Sequence, residues 1–496
     1  MIVARISLRS SASRWTAASL LAIALLFVWT QRISDAPVVK DAAQIVRMGI
    51  NLERHGVISM DEQAPYHPSD YREPLPVLSA ALAAKIVDIL HGPAEPREYL
   101  SGQRVRDLKY QNIVWMALLS GGAFFAVRVL GGSFAFALVG VVLVNLRFLG
   151  TRGGGADIDD LLTELPAAAV LMWASLVLAL AFTRRKLAWF ALAGLLLGIM
   201  ALIKAAILYV FVGIVGVWLA VNLWRRSAAG MLAVGREVLI LGVAFSCIVA
   251  PWMCRNLLEI GSFEISQRAG VVLMYRALHN LMTPGEYFGS FYAWAPPRLQ
   301  PTVGKMLGFT PADLQRNGRL QRLNDDLHSD FAADDLAAEL AGRPDLAISF
   351  YWQARAQREQ AEGLLAAQGR TEAESAVEAD ALLKRRALSI FREHPGRALA
   401  TTIPFMWRGS PRTFPILVIA LGLALRYRRY ELATFALPAL GIVLEYALFT
   451  HFIQRYDEPA NAVAIVASLG LVTMLWAGYR ARRSVPGVGV RASAPQ

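Results

Sequence analysis

Several charged residues of this chain stand where the bulk aqueous phase does not account for them. Asp41 lies about ten residues beyond an apolar run, at the start of a segment, 39–52, with the apolar spacing of an amphipathic helix. A carboxylate there sits close to the membrane surface, where the head group of a lipid-linked substrate is found. Such a group can act as a general base on an acceptor hydroxyl, or it can be an ordinary solvated loop acid. Asp35 is the second carboxylate considered for the base. The same loop carries Arg72 and Lys85 as cations for an anionic substrate. Glu164 stands inside an apolar run, where an ionisable side chain is costly and points to a cavity. Lys204 is flanked by Ala201-Leu-Ile and Ala-Ala-Ile; it either snorkels to the surface or holds a phosphate. Arg255 and Arg455 stand at the ends of further apolar runs and would join it around an anion. Asp157, Asp159 and Asp160, three acids in four positions, suit either a hard divalent cation or the N-terminal dipole of the following helix.

Other reactive residues form no recognisable set. The seven histidines match no zinc spacing and read as loop residues. Cys247 and Cys254, seven residues apart on one helix, are roughly 10 Å from each other and too far apart to be bridged. Gly153-Gly154-Gly155 is a weak phosphate-loop candidate, because no buried strand precedes it.

The elements that must position these residues are set by hydropathy. Of 496 residues 55% are hydrophobic and only 18% charged, with a mean hydropathy of +0.42. A run of roughly 18 apolar residues spans a bilayer's hydrocarbon core. The expected spans lie near 15–30, 110–127, 133–149, 161–183, 187–203, 205–224, 233–253, 413–425, 431–450 and 459–478. The first resembles a signal peptide but lacks a small-residue cleavage site before Gln31-Arg32, so it reads as an uncleaved helix. The expected fold is therefore all-α and polytopic, with about ten transmembrane helices. Residues 1–254 form an N-terminal membrane module that includes an exterior loop, 33–109. Residues 255–397 form a mostly helical exterior region, with its clearest helices at 350–365 and 373–391. Residues 398–483 hold the last membrane helices, and 484–496 is a tail rich in Pro, Gly and Ser.

The net charge of +12 is gathered beside the apolar runs, which indicates membrane topology rather than a nucleic-acid partner. With the N-terminus inside, Arg128, Arg184-Arg185-Lys186, Arg225-Arg226, Arg426 with Arg428-Arg429, and Arg480 with Arg482-Arg483 all fall in cytoplasmic segments. The acidic 157–160 loop falls outside. Ten crossings place both termini in the cytoplasm of a cell membrane, expected to be a bacterial inner membrane.

Several motifs occur in the order of one family. Asp41 with Ile45-Val-Arg-Met-Gly-Ile-Asn-Leu-Glu-Arg-His-Gly56, Arg72-Glu-Pro74, Thr163-Glu164, the Gly-rich stretch from Ala193 to Lys204, Pro251-Trp-Met-Cys-Arg-Asn256, His394-Pro395 and Arg455-Tyr456-x-x-Pro459 follow one another along the chain. The sequence resembles the polyprenyl-phosphate-sugar-dependent glycosyltransferases of the C superfamily, which include protein O-mannosyltransferases and lipid A aminoarabinose transferase. The resemblance implies inverting transfer of a sugar from a polyprenyl phosphate to a lipid, glycan or protein hydroxyl at the exterior face. It implies Asp41 as the base, and Lys204, Arg255 and Arg455 with Tyr456 around the departing phosphate. Glu164 would shape the cleft or help bind a metal. The rival functions are a transporter or flippase for a lipid-linked sugar, and a catalytically silent scaffold of envelope assembly. A transporter is expected to show inverted internal repeats, and none is visible.

Overall fold

The computed structural model describes residues 11–152, 155–224 and 228–483. The tail at 484–496, the pair Arg225-Arg226, and Gly153 with Gly154 lie outside the described residues. Helix dominates the rest. α1 (Ser11–Arg32) is followed by α2 (Lys40–His55), α3 (Pro74–His91), and the short α4 (Glu98–Ser101) and α5 (Val105–Lys109). An apolar series comes next: α6 (Gln111–Val129), α7 (Phe134–Leu149), α8 (Glu164–Arg184), α9 (Leu187–Ala201), α10 (Ile207–Trp224) and α11 (Ala228–Ile260). The polar region contains α12 (Ala269–Leu278), α13 (Pro284–Ala293), α14 (Gln300–Leu307), α15 (Ala332–Leu340), α16 (Phe350–Ala367) and α17 (Glu372–Glu393). α18 (Pro395–Gly409), α19 (Thr413–Arg426), α20 (Tyr430–Phe449) and α21 (Glu458–Arg483) close the chain. Strand pairing among the described residues is limited to Thr151–Arg152 with Gly155–Ala156.

Each of the ten apolar runs is a helix, and the chain is an all-α polytopic membrane protein. Among the described residues seven helices are long and apolar enough to cross a membrane, and four shorter apolar ones accompany them. One of the seven, Pro74–His91, lies within 33–109, the stretch that the sequence places as an exterior loop. Its Val77, Ala80, Ala84 and Val87 are buried, while Leu78, Leu82, Ile86 and Ile89 form an exposed apolar stripe. The buried side meets α2 closely because Gly49 has no side chain. A Cβ there would lie 2.8 Å from the Ala80 Cβ and 2.9 Å from the Ala81 nitrogen. This contact fixes α2, and therefore Asp41, against the segment that carries Arg72.

α8 is apolar on all sides, and 83% of its most apolar stretch is buried. It packs against α6, α9, α20 and α21, so its first residue, Glu164, opens into the centre of the bundle. α9 approaches α11 through Gly194, where a Cβ would lie 2.3 Å from the Leu241 carbonyl oxygen. α11 continues past residue 254 to Ile260, which puts Arg255 within the helix.

The helices expected at 350–365 and 373–391 are α16 and α17. His394-Pro395 ends α17, but Pro395 also begins α18, an element that the apolar runs do not show. Proline suits a first helical position, where its missing N–H leaves no bond unmade. His279, read from sequence as a loop residue, is buried between Trp294, Phe350 and Phe405. Burial holds its pKa down at about 3, so it is a neutral core residue.

Candidate active site

Five of the residues singled out in the sequence form one continuous chain of ion pairs. Asp41 lies in the first turn of α2, where an acid is favoured by the free N–H groups. Its Oδ1 accepts from Arg72 Nη2 at 2.5 Å, and its Oδ2 accepts from Arg455 Nη2 at 2.8 Å. Gln44, one turn along α2 on the same face, accepts from Arg72 Nε at 2.9 Å. Arg72 is 5% exposed, so these partners also satisfy a buried guanidinium.

Arg455 then reaches inward. Its Nε lies 3.4 Å from Glu164 Oε1, and Lys204 Nζ donates to the same oxygen at 3.0 Å. Lys204 sits in the connection between α9 and α10, is 8% exposed, and points at Glu164 rather than snorkelling. The Tyr456 ring lies under both cations, 5.4 Å from Lys204 Nζ and 5.6 Å from the Arg455 guanidinium carbon.

Two further residues belong here that sequence reasoning missed. Tyr71 lies beneath Arg72, Arg268 and Arg358, at 5.5, 5.2 and 5.6 Å from its ring centre. Arg268, just ahead of α12, adds its charge to Asp41. Among the described residues Arg268 Nε has no hydrogen-bond partner, which leaves a buried donor facing this region. Nothing in the local sequence around Arg268 marks it, because its partners come from α2 and the 70–73 turn.

Arg72, Lys204, Arg268 and Arg455 gather around Asp41 and Glu164, with Glu73 and Asp160 also within electrostatic reach. Burial by itself raises the pKa of the Asp41 carboxyl, but Arg72, Arg268 and Arg455 outweigh it. The group is held well below the usual carboxylate range. It is therefore ionised, and weakly basic while both arginines hold it.

The remaining nominated residues lie elsewhere. Asp35 is exposed and outside this chain of contacts. Lys85 is exposed on α3 and does not take part in it either. Arg255 pairs with Glu259 at 2.6 Å, stacks on Trp252, and reaches only the Ser69 carbonyl beside the 70–73 turn. The expected cation site at Asp157, Asp159 and Asp160 does not form. Asp159 accepts from Lys109 at 3.1 Å and from Ser34, Asp157 shares Arg147, at 3.5 Å, with Glu458, and Asp160 is solvent-exposed but within electrostatic reach of Glu164 and Arg455. Among the described residues no three His, Cys, Asp or Glu are grouped to hold a metal ion.

No curated protein and no solved structure matches the chain. Residues 91–264, which include Glu164, Lys204 and Arg255, match the family model described as dolichyl-phosphate-mannose-protein mannosyltransferase. That family lies within the C superfamily of glycosyltransferases, so over this stretch the chain is similar to the group its motifs resemble.

Proposed function

We propose that the protein moves a sugar from a polyprenyl-phosphate carrier to an acceptor hydroxyl on the exterior face of the membrane, with inversion. The observation that carries this reading is the double engagement of Asp41 by Arg72 and Arg455, with Arg455 leading on to Glu164 and Lys204. A base and a set of phosphate-binding cations thus occupy one site. The acceptor oxygen attacks the anomeric carbon while Asp41 takes its proton. The bond from that carbon to the phosphate oxygen breaks, and the phosphate leaves with the electron pair. Arg455, Lys204 and the spare donor of Arg268 meet the charge that develops there.

Donor binding and basicity are coupled in this arrangement. A phosphate that draws Arg455 away from Asp41 also removes one of the charges holding the carboxyl's pKa down. Asp41 becomes a stronger base once the donor is in place. Glu164 orients Lys204 and Arg455. Arg255 and Lys85 have no part in the reacting centre on this reading. The exterior location rests on the alternation of basic segments.

The test is to incubate purified protein with a radiolabelled polyprenyl-phosphate sugar and acceptor lipids, glycans and peptides. Release of polyprenyl phosphate together with a labelled acceptor of inverted anomeric configuration is expected. Donor binding with no release under any acceptor would favour transport instead and overturn the reading.

A further inference from the structure

A second cleft, apolar over most of its lining but with a few polar groups, shares no residue with the Asp41 cluster. It has a volume of about 240 Å³ and is lined by Asn280, Thr283, Tyr287, Phe288, Arg397 and Thr401 among others. No Asp or Glu lines it. Behind it lies Arg276, 0% exposed. Its donors go to the carbonyl oxygens of Ala447 (3.0 Å) and Ala398 (2.8 Å), to Asn280 Oδ1 (2.6 Å) and to Thr402 (3.3 Å). Among the described residues no carboxylate is within ion-pair distance of this guanidinium, so its charge is solvated by dipoles but not neutralised. A fully buried cation without a counter-charge is costly, and an anion close by relieves that cost.

Asn280 carries the effect to the cleft. Its Oδ1 is taken by Arg276 and by the Thr401 hydroxyl at 2.9 Å, which fixes the amide's orientation. Its Nδ2, in a residue 1% exposed, has no partner among the described residues. Arg397 is exposed at the rim. The hydroxyl oxygen of Thr283 accepts from the Glu286 N–H and gives its own hydrogen to the Glu286 carboxylate. The lining therefore offers donors and positive charge. Exposed apolar residues lie on the elements that line the cleft: Phe288 is 58% exposed on α13, and Leu399 67% and Ile403 57% on α18. Leu399 and Ile403 lie one turn apart on α18, which leads directly into the apolar α19.

We propose that this cleft binds the phosphate of an anionic membrane lipid, whose acyl chains lie along Phe288, Leu399 and Ile403. Arg397 and Asn280 donate to the phosphate, and Arg276 supplies the field behind it. The proposal is independent of the transfer reaction and needs no activity to be tested.

The full-length protein in a non-ionic detergent would be titrated calorimetrically with dioctanoyl phosphatidylglycerol, dioctanoyl phosphatidylcholine and inorganic phosphate. Wild type is expected to bind one phosphatidylglycerol more tightly than either of the other two. Loss of a charge-assisted hydrogen bond corresponds to about tenfold or more, so Arg397→Glu should weaken binding at least that much. Arg397→Lys should fall between, and because Arg397 is exposed the melting temperature should not move. Equal phosphatidylglycerol affinity in wild type and Arg397→Glu would overturn the site. Equal affinity for phosphatidylcholine would overturn the requirement for an anion. Inorganic phosphate binding as tightly as the lipid would overturn the lipid as occupant.

Discussion

Arg455 Nη2 donates to Asp41 Oδ2 at 2.8 Å across 414 positions of the chain. The same guanidinium lies against Glu164, so one residue near the start of α21 ties the first-loop carboxylate to the intramembrane Glu164–Lys204 pair. Loss of Arg455 therefore reaches Asp41, its pKa, and the Glu164–Lys204 pair together. The consequences can be separated by substitution.

Asp41→Asn keeps the shape of the side chain but cannot accept a proton. A general base contributes about 10²–10⁴-fold, so kcat should fall on that scale while membrane abundance and donor binding stay near wild type. Asp35→Asn is the control, since Asp35 is exposed and outside the ion-pair chain, and should remain active. If Asp35→Asn were inactive and Asp41→Asn active, the base would be Asp35.

The pH profile of kcat/KM reports the base in the free enzyme. The Asp41 carboxyl is held below the ordinary range, so in wild type it stays ionised as pH falls from 7 to 5 and produces no acid limb there. Arg455→Ala removes one of the groups that stabilise the anion, so the pKa rises and the acid limb moves to higher pH. This displacement is read from the shape of the profile and does not depend on how much activity is lost. An unmoved limb would detach Arg455 from Asp41 in function.

Lys204→Met leaves Glu164 buried with Arg455 alone, at 3.4 Å. Breaking a buried pair by removing one partner costs about 3–5 kcal/mol, and Arg455 should keep the loss near the low end. Glu164→Gln combined with Lys204→Met should recover most of that stability without recovering donor affinity. Lys204→Arg, which keeps the charge, should retain part of the affinity. Melting temperature and donor binding measured on the same samples distinguish the two roles.

Burial pushes the Asp70 carboxyl from 3.8 up to about 7, against the pull of Arg255 and with Glu264 and Asp380 adding to the rise. Its Oδ2 has no partner among the described residues. The folded chain then holds a proton between about pH 4 and pH 7 that the unfolded chain has released. Stability from this residue is therefore present at low pH and falls as pH rises through that window, by at most about 4 kcal/mol. Asp70→Asn should melt higher than wild type at pH 8 and together with it at pH 4. Identical curves at both values would show that folding does not raise the Asp70 pKa.

Single cysteines in a Cys247→Ser, Cys254→Ser background report topology. Positions near 60, 157, 330 and 455 should react with an impermeant reagent added outside, and those near 185 and 428 should not. Protection of residue 330 from outside would place the 255–397 region in the cytoplasm and remove the active-site proposal with it.

Much of the architecture is local, and so it is legible in the order of residues. An apolar run long enough for a bilayer must bond its backbone internally, which makes it a helix whatever it later packs against. That reasoning holds for α1 and for α8, and it marks Glu164 and Lys204 as costly residues that need a reason. The amphipathic spacing at 39–52 likewise gives α2, and with it a surface position for Asp41. α18 stayed hidden because it is amphipathic, not a continuous apolar run, and opens with Pro395 at the end of another helix.

Partnership was decided only by the tertiary structure. An ion pair depends on where distant segments come together, and hydropathy carries no information about that. Arg268 and Tyr71 carry no local signal, yet the segment ahead of α12, bonded from Gln267 N–H to the Asp70 carbonyl, brings them together beside Asp41. The acids at 157–160 show the converse. Their adjacency in sequence suggested a shared cation, but the fold sets Lys109 against Asp159 and Arg147 between Asp157 and Glu458, so each acid is drawn to a different protein cation.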